Sequence, residues 1–272
     1  MAAPPRALPI DGHVHTEWSW DAARGSMEGT CRKAVDLGLP AVAFTEHADF
    51  VTIHDGQHAL DVPGYLEAVE RCRARFPELR ILTGVELGEP HWFPDAAAEV
   101  LAAGQLERVL GSVHCIEVDG RTVDLSMKGL LTPEVAAALM RAYLMETLAM
   151  LESEPAFEVL AHLDYPKRYW PHGELPFFEN DFEEEYRDVL HTAARRGCVL
   201  EVNTTRGIEP HRGLCPGLTV LRWWWEAGGK AVAFGSDTHE PARLAGGFEL
   251  AAQVVEAAGF RPAPEPTAYW LR

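Results

Sequence analysis

The chain has 272 residues, of which 47% are hydrophobic, and a formal net charge of −17 at pH 7. This length and apolar content suffice for one full core, whereas the negative charge argues against a nucleic-acid-binding surface and against binding to an anionic membrane. The N-terminus MAAPPRALPI lacks the apolar centre of a signal peptide, no run reaches membrane-spanning length, and five scattered cysteines form no CxxC motif, so we expect one cytoplasmic domain over residues 1–272.

Seven short apolar or β-branched runs predict seven strands. In chain order they are LPIDGHVH, PAVAFTEH, RILTGVE, ERVLGSVH, FEVLAHL, CVLEVN and KAVAFGSDTH. Each run carries a histidine, an acid or an asparagine at or near its C-terminal end.

Helical patterns alternate with these strands. They cover residues 26–37, 63–76, 94–103, 133–152, 181–196, 217–227 and 248–258. Alternating strands and helices indicate parallel pairing, and near-continuously apolar strands indicate a sheet covered on both faces. The predicted fold class is therefore α/β, as a distorted (β/α)7 barrel that is TIM-barrel-like.

Nine histidines and acids follow or end these strands, at the edge where such barrels carry their chemistry. They are His13, His15, Asp21, His47, Glu86, His114, His162, Asp237 and His239. A lone histidine at a strand end is usually a satisfied core or surface residue, and Asp21 taken alone could be a turn residue. The HxH pair, the SDxH end and the five further groups together predict a multinuclear metal site.

Side chains on a strand alternate between faces, so residues two apart project together. His13 and His15 obey this spacing, as do Asp237 and His239, whereas Glu46 should point away from the face that carries His47. Glu46 is therefore expected behind the ligands. Imidazole and carboxylate without thiolate suit Zn, Mn, Fe or Co, and nine ligands are too many for one ion. Two or three divalent ions and the hydrolysis of a phosphate ester are predicted.

The motifs DGHVHTEWSWD, AFTEHAD, GVE, GSVH, AHLD and GSDTH resemble the successive motifs of the polymerase and histidinol phosphatase (PHP) family. GSVH followed by a loop and EVNT followed by an arginine are most similar to the histidinol-phosphate phosphatase branch. That resemblance implies a distorted seven-stranded barrel and hydrolysis of L-histidinol phosphate in histidine biosynthesis. A metal-bridging hydroxide would attack phosphorus, with Glu86, Asp237 and His239 as catalytic members of the set and Asp237 or a water as proton relay.

The resemblance also implies a division of the ligands among three ions. One ion would take His13, His15, Glu86 and Asp237, a second Glu86, His114 and His162, and a third Asp21, His47 and His239. At Asp21 this chain has the acidic variant of a position where the family carries either histidine or an acid.

The substrate-binding residues are less defined because EVNTTRGIEPHRG departs from the EINTSGLR-like run usual in the branch. The candidates for binding phosphate are Lys167, Arg168, Arg206 and Arg212, each of which could instead be a solvated loop cation. The candidates for contacting a cationic part of the substrate are Glu17, Asp49 and Glu89, and His91 could lie behind the site. The aromatic residues Tyr165, Tyr169, Trp170, Phe177 and Phe178 either line a substrate pocket or pack a long loop.

Three alternatives stay open. The chain could be a phosphatase or phosphodiesterase for another small metabolite or nucleotide, or a regulatory module that retains metal. A deacetylase-like activity could use similar metals, but the lysine typical of such sites is absent from the seven strand ends.

Trp223, Trp224 and Trp225 cannot share one helical face, so they either pack against the C-terminal tail or form a homodimer contact. The expected partner is a small phosphorylated metabolite.

Overall fold

A computed structural model describes residues 8–52, 59–153, 156–205 and 212–272 of the chain. Arg206, His54, His58 and His211 lie outside the described residues. The helices are α1 Met27–Leu37, α2 Val62–Arg75, α3 Pro94–Ala102, α4 Ala136–Glu152, α5 Glu183–Arg196, α6 Leu218–Glu226 and α7 Phe248–Ala257. The strands are β1 Asp11–Val14, β2 Ala41–Ala48, β3 Arg80–Gly88, β4 Arg108–Ser112, β5 Cys115–Val118, β6 Arg121–Asp124, β7 Val159–Leu160, β8 Val199–Asn203, β9 Ala231–Gly235 and β10 Trp270–Leu271.

Eight of these strands form one curled sheet in the order β1-β2-β3-β4-β7-β8-β9-β10. The first seven strands of this sheet pair in parallel, and β10 adds antiparallel to β9. Beyond the end of β9, Asp237 N donates to His13 O at 2.8 Å and His15 N donates to Thr238 O at 2.9 Å. These bonds link the last parallel strand back to the first, so the predicted α/β fold with a distorted seven-stranded barrel is confirmed.

The predicted helices all form, and their first and last residues differ from the predicted ones by at most three positions. α2 begins one residue early because Asp61 is its N-cap and accepts a hydrogen bond from Gly64 N. α4 begins at Ala136 instead of residue 133, because Thr132 O accepts from the amides of both Val135 and Ala136 in a turn that precedes the helix. None of the described helices combines the length and the apolar character that crossing a bilayer requires.

The hairpin β5–β6 between β4 and α4 is an element that the sequence analysis missed. Its two-residue turn is Asp119-Gly120, and both residues have positive φ, 50° and 70°. Two positive φ values in a two-residue hairpin loop are typical of the type I′ turn, for which Asp-Gly is a favoured sequence. The hairpin lies beside the C-terminal ends of the barrel strands.

The tryptophan run in α6 packs within the chain. Trp223 and Trp224 are buried. Trp225 contacts Phe260 with a ring-centroid distance of 5.3 Å, and the guanidinium carbon of Arg272 lies 4.1 Å from the Trp225 ring centroid. The tail therefore contacts this cluster, as the first of the two interpretations predicts, and the homodimer stays a prediction without support from these residues.

Candidate metal centre

The ends of six parallel strands deliver eight of the nine predicted ligands to one place, and the loop after β1 supplies Asp21. Every residue of this set has a side-chain nitrogen or oxygen within 4 Å of a side-chain nitrogen or oxygen of another member. The residues that converge are His13, His15, Asp21, His47, Glu86, His114, His162, Asp237 and His239. Parallel strands make this convergence possible because all their C-terminal ends lie at one rim.

Glu86, a buried residue on β3, is the centre of this set. Its Oε2 lies 3.1 Å from His13 Nε2, 3.3 Å from His15 Nε2 and 3.2 Å from His47 Nδ1. Its Oε1 lies 3.3 Å from His114 Nε2 and 2.7 Å from His162 Nε2. Burial alone would raise the pKa of Glu86, but the surrounding histidines hold it well below its usual range. The carboxylate therefore has the position and the charge state of a bridging ligand.

The hydrogen bonds around His13 and His15 show that their inward nitrogens suit a cation. His13 Nδ1 contacts the Glu201 carboxylate at 2.7 Å, so in a neutral ring this nitrogen carries the proton. Ser19 Oγ donates its single hydrogen to Glu46, so it accepts from His15 Nδ1 at 3.1 Å. Both Nε2 atoms are then left with lone pairs, and they face each other across 3.0 Å. Two lone pairs at this distance beside a carboxylate repel unless a cation lies between them, so the donor set fits a divalent metal ion.

The remaining predicted ligands form groups close to those that the family resemblance implies. Glu86, His114 and His162 offer atoms within 4.8 Å of one another, as do His13, His15 and Glu86. On the open side, Asp21 Oδ2 lies 3.0 Å from His239 Nε2 and 3.7 Å from His47 Nε2.

Asp49 is a further acid beside the predicted ligands. Its two oxygens lie 3.5 Å from His47 Nδ1 and 3.6 Å from His114 Nδ1, and Trp20 Nε1 donates to it at 2.7 Å. Burial would raise the pKa of Asp49, but the neighbouring histidines lower it to about 2. An ionised Asp49 thus stands beside two rings of the set, where it can orient them or join a metal ion.

The centre opens into a cavity of about 170 Å³. Among the described residues, its walls carry five acids, the arginine Arg168 and several aromatic rings. The acids are Asp21, Asp49, Glu89, Asp124 and Asp237, and the rings include Trp20, Tyr165 and Tyr169. Burial raises the pKa of Glu89 to about 7. A cavity with this lining suits a small ligand whose phosphate meets the metal centre and whose other end is cationic.

The four phosphate-binding candidates lie in different places. Arg168 is buried, its Nη2 donates to Asp237 Oδ2 at 2.6 Å, and it lines the cavity. Lys167 does not reach the cavity, because its ammonium donates to Glu179 Oε1 and Leu214 O, each at 3.0 Å. Arg212 donates to the carbonyl of Arg168 and borders a separate surface cleft, and Arg206 lies outside the described residues.

A short 3-10 helix, Tyr165–Tyr169, explains why neighbouring cations diverge. With three residues per turn, consecutive side chains point about 120° apart and residues three apart share a face. Arg168 therefore lies over the Tyr165 ring, 5.1 Å from its centroid, and both line the cavity. Lys167 points instead to Asp164 and Glu179 behind the loop. The sequence expectation for Lys167 is corrected by this geometry.

The candidates for contacting the rest of the substrate also divide into residues that line the cavity and residues that lie elsewhere. Asp49 and Glu89 line the cavity, whereas Glu17 accepts from Met27 N at the start of α1 and His91 pairs with Glu146 on α4 at 2.6 Å. Of the loop aromatics, Tyr165 and Tyr169 line the cavity. Trp170 and Phe177 pack on each other and on Phe182, and Phe178 is exposed.

Glu46 lies behind the ligands, as the strand alternation predicts. Its carboxylate accepts from Thr16 N at 2.9 Å and from Ser19 Oγ at 2.6 Å. Ser19 Oγ in turn accepts from His47 N at 3.0 Å and from His15. The carboxylate therefore fixes a hydroxyl that positions two of the predicted ligands.

Glu201 on β8 is a residue of this centre that the sequence analysis missed. Its Oε1 contacts His13 Nδ1, and its Oε2 accepts from His162 N at 2.7 Å. The available signal was the spacing in CVLEVN, which places Glu201 on the same strand face as Asn203, the polar strand end that the analysis did identify.

Comparisons with known proteins agree with this architecture. The PHP domain family model matches residues 11–205. Curated relatives include a "probable histidinol-phosphatase" of Clostridium acetobutylicum, 25% identical over 259 residues that cover 94% of this chain and 96% of the relative. The histidinol-phosphatase of Lactococcus lactis is 26% identical over 258 residues, 92% of this chain and 91% of the relative.

A solved structure has the same fold. The crystal structure of histidinol phosphate phosphatase from Lactococcus lactis, complexed with zinc, L-histidinol and phosphate, matches with a TM-score of 0.82. The two chains are 23% identical, and the match covers 94% of this chain and 95% of that one. Zinc in that structure and the histidine–carboxylate groups described here together indicate a site for divalent metal.

Proposed function

The chain belongs to the PHP domain family, and from this premise we propose that it is a metal-dependent phosphoric monoester hydrolase that converts L-histidinol phosphate to L-histidinol and phosphate. The observation that carries the proposal is the buried carboxylate of Glu86 with five imidazoles around it, beside a cavity that Arg168 lines. The names of the relatives support the choice of substrate.

We assign the predicted ligands to two or three divalent ions, and zinc is the ion that the Lactococcus structure favours. His13, His15, Glu86 and Asp237 would hold one ion, Glu86, His114 and His162 a second, and Asp21, His47 and His239 a third. When bound, such ions neutralise phosphoryl oxygens and lower the pKa of a coordinated water, which is the chemistry that phosphate ester hydrolysis needs. The proton-relay role of Asp237 and the catalytic role of His239 stay predictions.

Arg168 is the residue we assign to the phosphate. The guanidinium is planar and carries several N–H donors, so one can bind Asp237 while others face a phosphate. Burial of Arg168 within the wall fixes the group before the substrate arrives, and the Tyr165 ring beneath it limits its motion. Arg168 would thereby hold the phosphate at a fixed position relative to Asp237.

The acids of the cavity wall support a cationic leaving alcohol. Asp49, Glu89 and Asp124 line the same cavity as Arg168. L-Histidinol carries an ammonium group that such a wall attracts, whereas the additional phosphates of a nucleotide would be repelled. The acidic wall therefore favours the histidinol phosphate reaction over the nucleotide alternative.

The test is phosphate release by the metal-loaded protein from L-histidinol phosphate, p-nitrophenyl phosphate and a dinucleotide diester. We expect kcat/KM to be about a hundredfold or more higher for L-histidinol phosphate than for p-nitrophenyl phosphate, because only the former offers an ammonium to the acidic wall. Hydrolysis of the dinucleotide at an equal or higher kcat/KM would contradict the proposal while leaving the metal centre in place.

A further inference from the structure

Among the seven parallel strands of the described barrel, β8 ends without any of the nine predicted ligands. It presents instead Glu201 and Asn203, two residues apart and both buried. We infer that Glu201 is the positioning residue of the metal centre: its carboxylate holds the ring of His13 and the backbone of His162 so that both can bind metal. This inference rests on the proposed metal centre and not on the identity of the substrate.

The first contact sets the tautomer of His13. Glu201 Oε1 lies 2.7 Å from His13 Nδ1, and both side chains are buried. A proton on Nδ1 leaves Nε2, which faces Glu86 and His15, as the metal-binding atom. A carboxylate behind a metal-binding histidine raises the basicity of the ring in this way.

The second contact supports a backbone that is not relaxed. His162 has a φ of 21° and Asp237 a φ of 50°, both in the left-handed region that non-glycine residues rarely adopt. Glu201 Oε2 accepts from His162 N at 2.7 Å, and Asn203 Nδ2 donates to Glu201 Oε2 and to Asp237 Oδ2, each at 3.2 Å. The side chains of β8 thus contact both predicted ligands whose backbone is strained.

The space for this carboxylate exists because residue 235 is glycine. A Cβ atom at Gly235 would lie 2.1 Å from Glu201 Oε1 and 2.5 Å from His13 Cβ, which is too close for either contact. The φ of Gly235 is not positive, so alanine is compatible with the backbone there. The glycine at the end of β9 is therefore explained by the Glu201–His13 pair that it accommodates.

Counting donors shows why glutamine cannot replace Glu201 although it has the same shape. Three N–H groups point at the carboxylate: His13 Nδ1–H, His162 N–H and one hydrogen of Asn203 Nδ2. A glutamine offers one acceptor oxygen and one NH2 group. If the oxygen accepts from His162 N and Asn203 Nδ2, the NH2 group faces His13 Nδ1. His13 Nδ1 must then accept a hydrogen bond, so the ring proton moves to Nε2, the nitrogen that should bind metal.

The experiment compares zinc binding by the wild-type chain and by Glu201→Gln, with zinc titrated into metal-free protein against a competing chelator. We expect the variant to keep its melting temperature within a few degrees and to bind at least one zinc ion about 10–100-fold more weakly. Its phosphatase activity should recover as zinc is raised, which a general loss of structure would not allow. Gly235→Ala keeps both the Glu201 and the His13 side chain but should push them out of their present positions. It should therefore weaken zinc binding as well.

Glu146→Gln is the matched control, because Glu146 also contacts a histidine, His91 at 2.6 Å, but lies outside the centre. Its zinc affinity should equal that of the wild type. Unchanged zinc affinity in both Glu201→Gln and Gly235→Ala would overturn the inference. If Glu201→Gln binds zinc more weakly but the wild-type chain does not hydrolyse L-histidinol phosphate, the proposed substrate is wrong. The role of Glu201 is then still supported.

Discussion

Replacing Glu86 with glutamine is expected to lower kcat/KM for L-histidinol phosphate by about a thousandfold or more. Both carboxylate oxygens of Glu86 contact imidazole nitrogens, and the two oxygens contact different sets of rings. A glutamine keeps the size but replaces one oxygen with an NH2 group, which cannot bind a cation. The substitution also removes the negative charge that balances the divalent ions at their shared ligand.

The measurements are steady-state phosphate release and the number of metal ions retained after dialysis. We expect Glu86→Gln to lose at least one ion, whereas Glu146→Gln should keep both its metal content and its activity. A Glu86→Gln protein with full metal content and activity within tenfold of the wild type would show that Glu86 is not the bridging ligand.

Replacing Arg168 with methionine is expected to lower kcat/KM by about two to three orders of magnitude, and Arg168→Lys by about tenfold to a hundredfold. Methionine removes the charge that meets the phosphate, and lysine keeps a charge but loses the planar set of donors. Asp237 adds to the effect: burial would raise the pKa of Asp237, but the Arg168 guanidinium holds it well below its usual range. Without Arg168, the buried carboxylate of Asp237 loses the guanidinium that donates to it at 2.6 Å.

Competitive inhibition by inorganic phosphate measures this role directly, and both Arg168 variants should show a raised inhibition constant. Lys167→Met is the informative contrast, because Lys167 is equally buried and adjacent in sequence but contacts Glu179 and Leu214 O. It should lower the free energy of unfolding by about 3 kcal/mol and leave phosphate inhibition unchanged. Equal changes of the inhibition constant in the Lys167 and Arg168 variants would contradict the assignment.

The barrel and the convergence of nine side chains could be predicted because they depend on short-range patterns. Apolar runs that alternate with helical periods indicate parallel strands, and parallel strands place their ends at one rim. His13 and His15 follow from the two-residue period of a strand, and the same period correctly put Glu46 behind the ligands.

What the sequence could not resolve depends on geometry between distant segments. Lys167 and Arg168 look equivalent in the run YPKRYW, and only the 3-10 helix separates Lys167, which contacts Glu179, from Arg168, which lines the cavity. Glu201 lies inside a strand pattern, 188 residues from the histidine ring that it contacts. Asp119-Gly120 did carry a recognisable hairpin signal that the analysis did not use.

The proposed function is hydrolysis of L-histidinol phosphate with divalent ions bound at this centre. The most direct test follows phosphate release from this substrate while zinc is titrated into metal-free protein and the bound zinc is counted. We expect no activity without metal, and activity that rises to its limit as two to three ions bind per chain. Metal-free protein that retains full activity, or fully loaded protein that releases no phosphate, would contradict it.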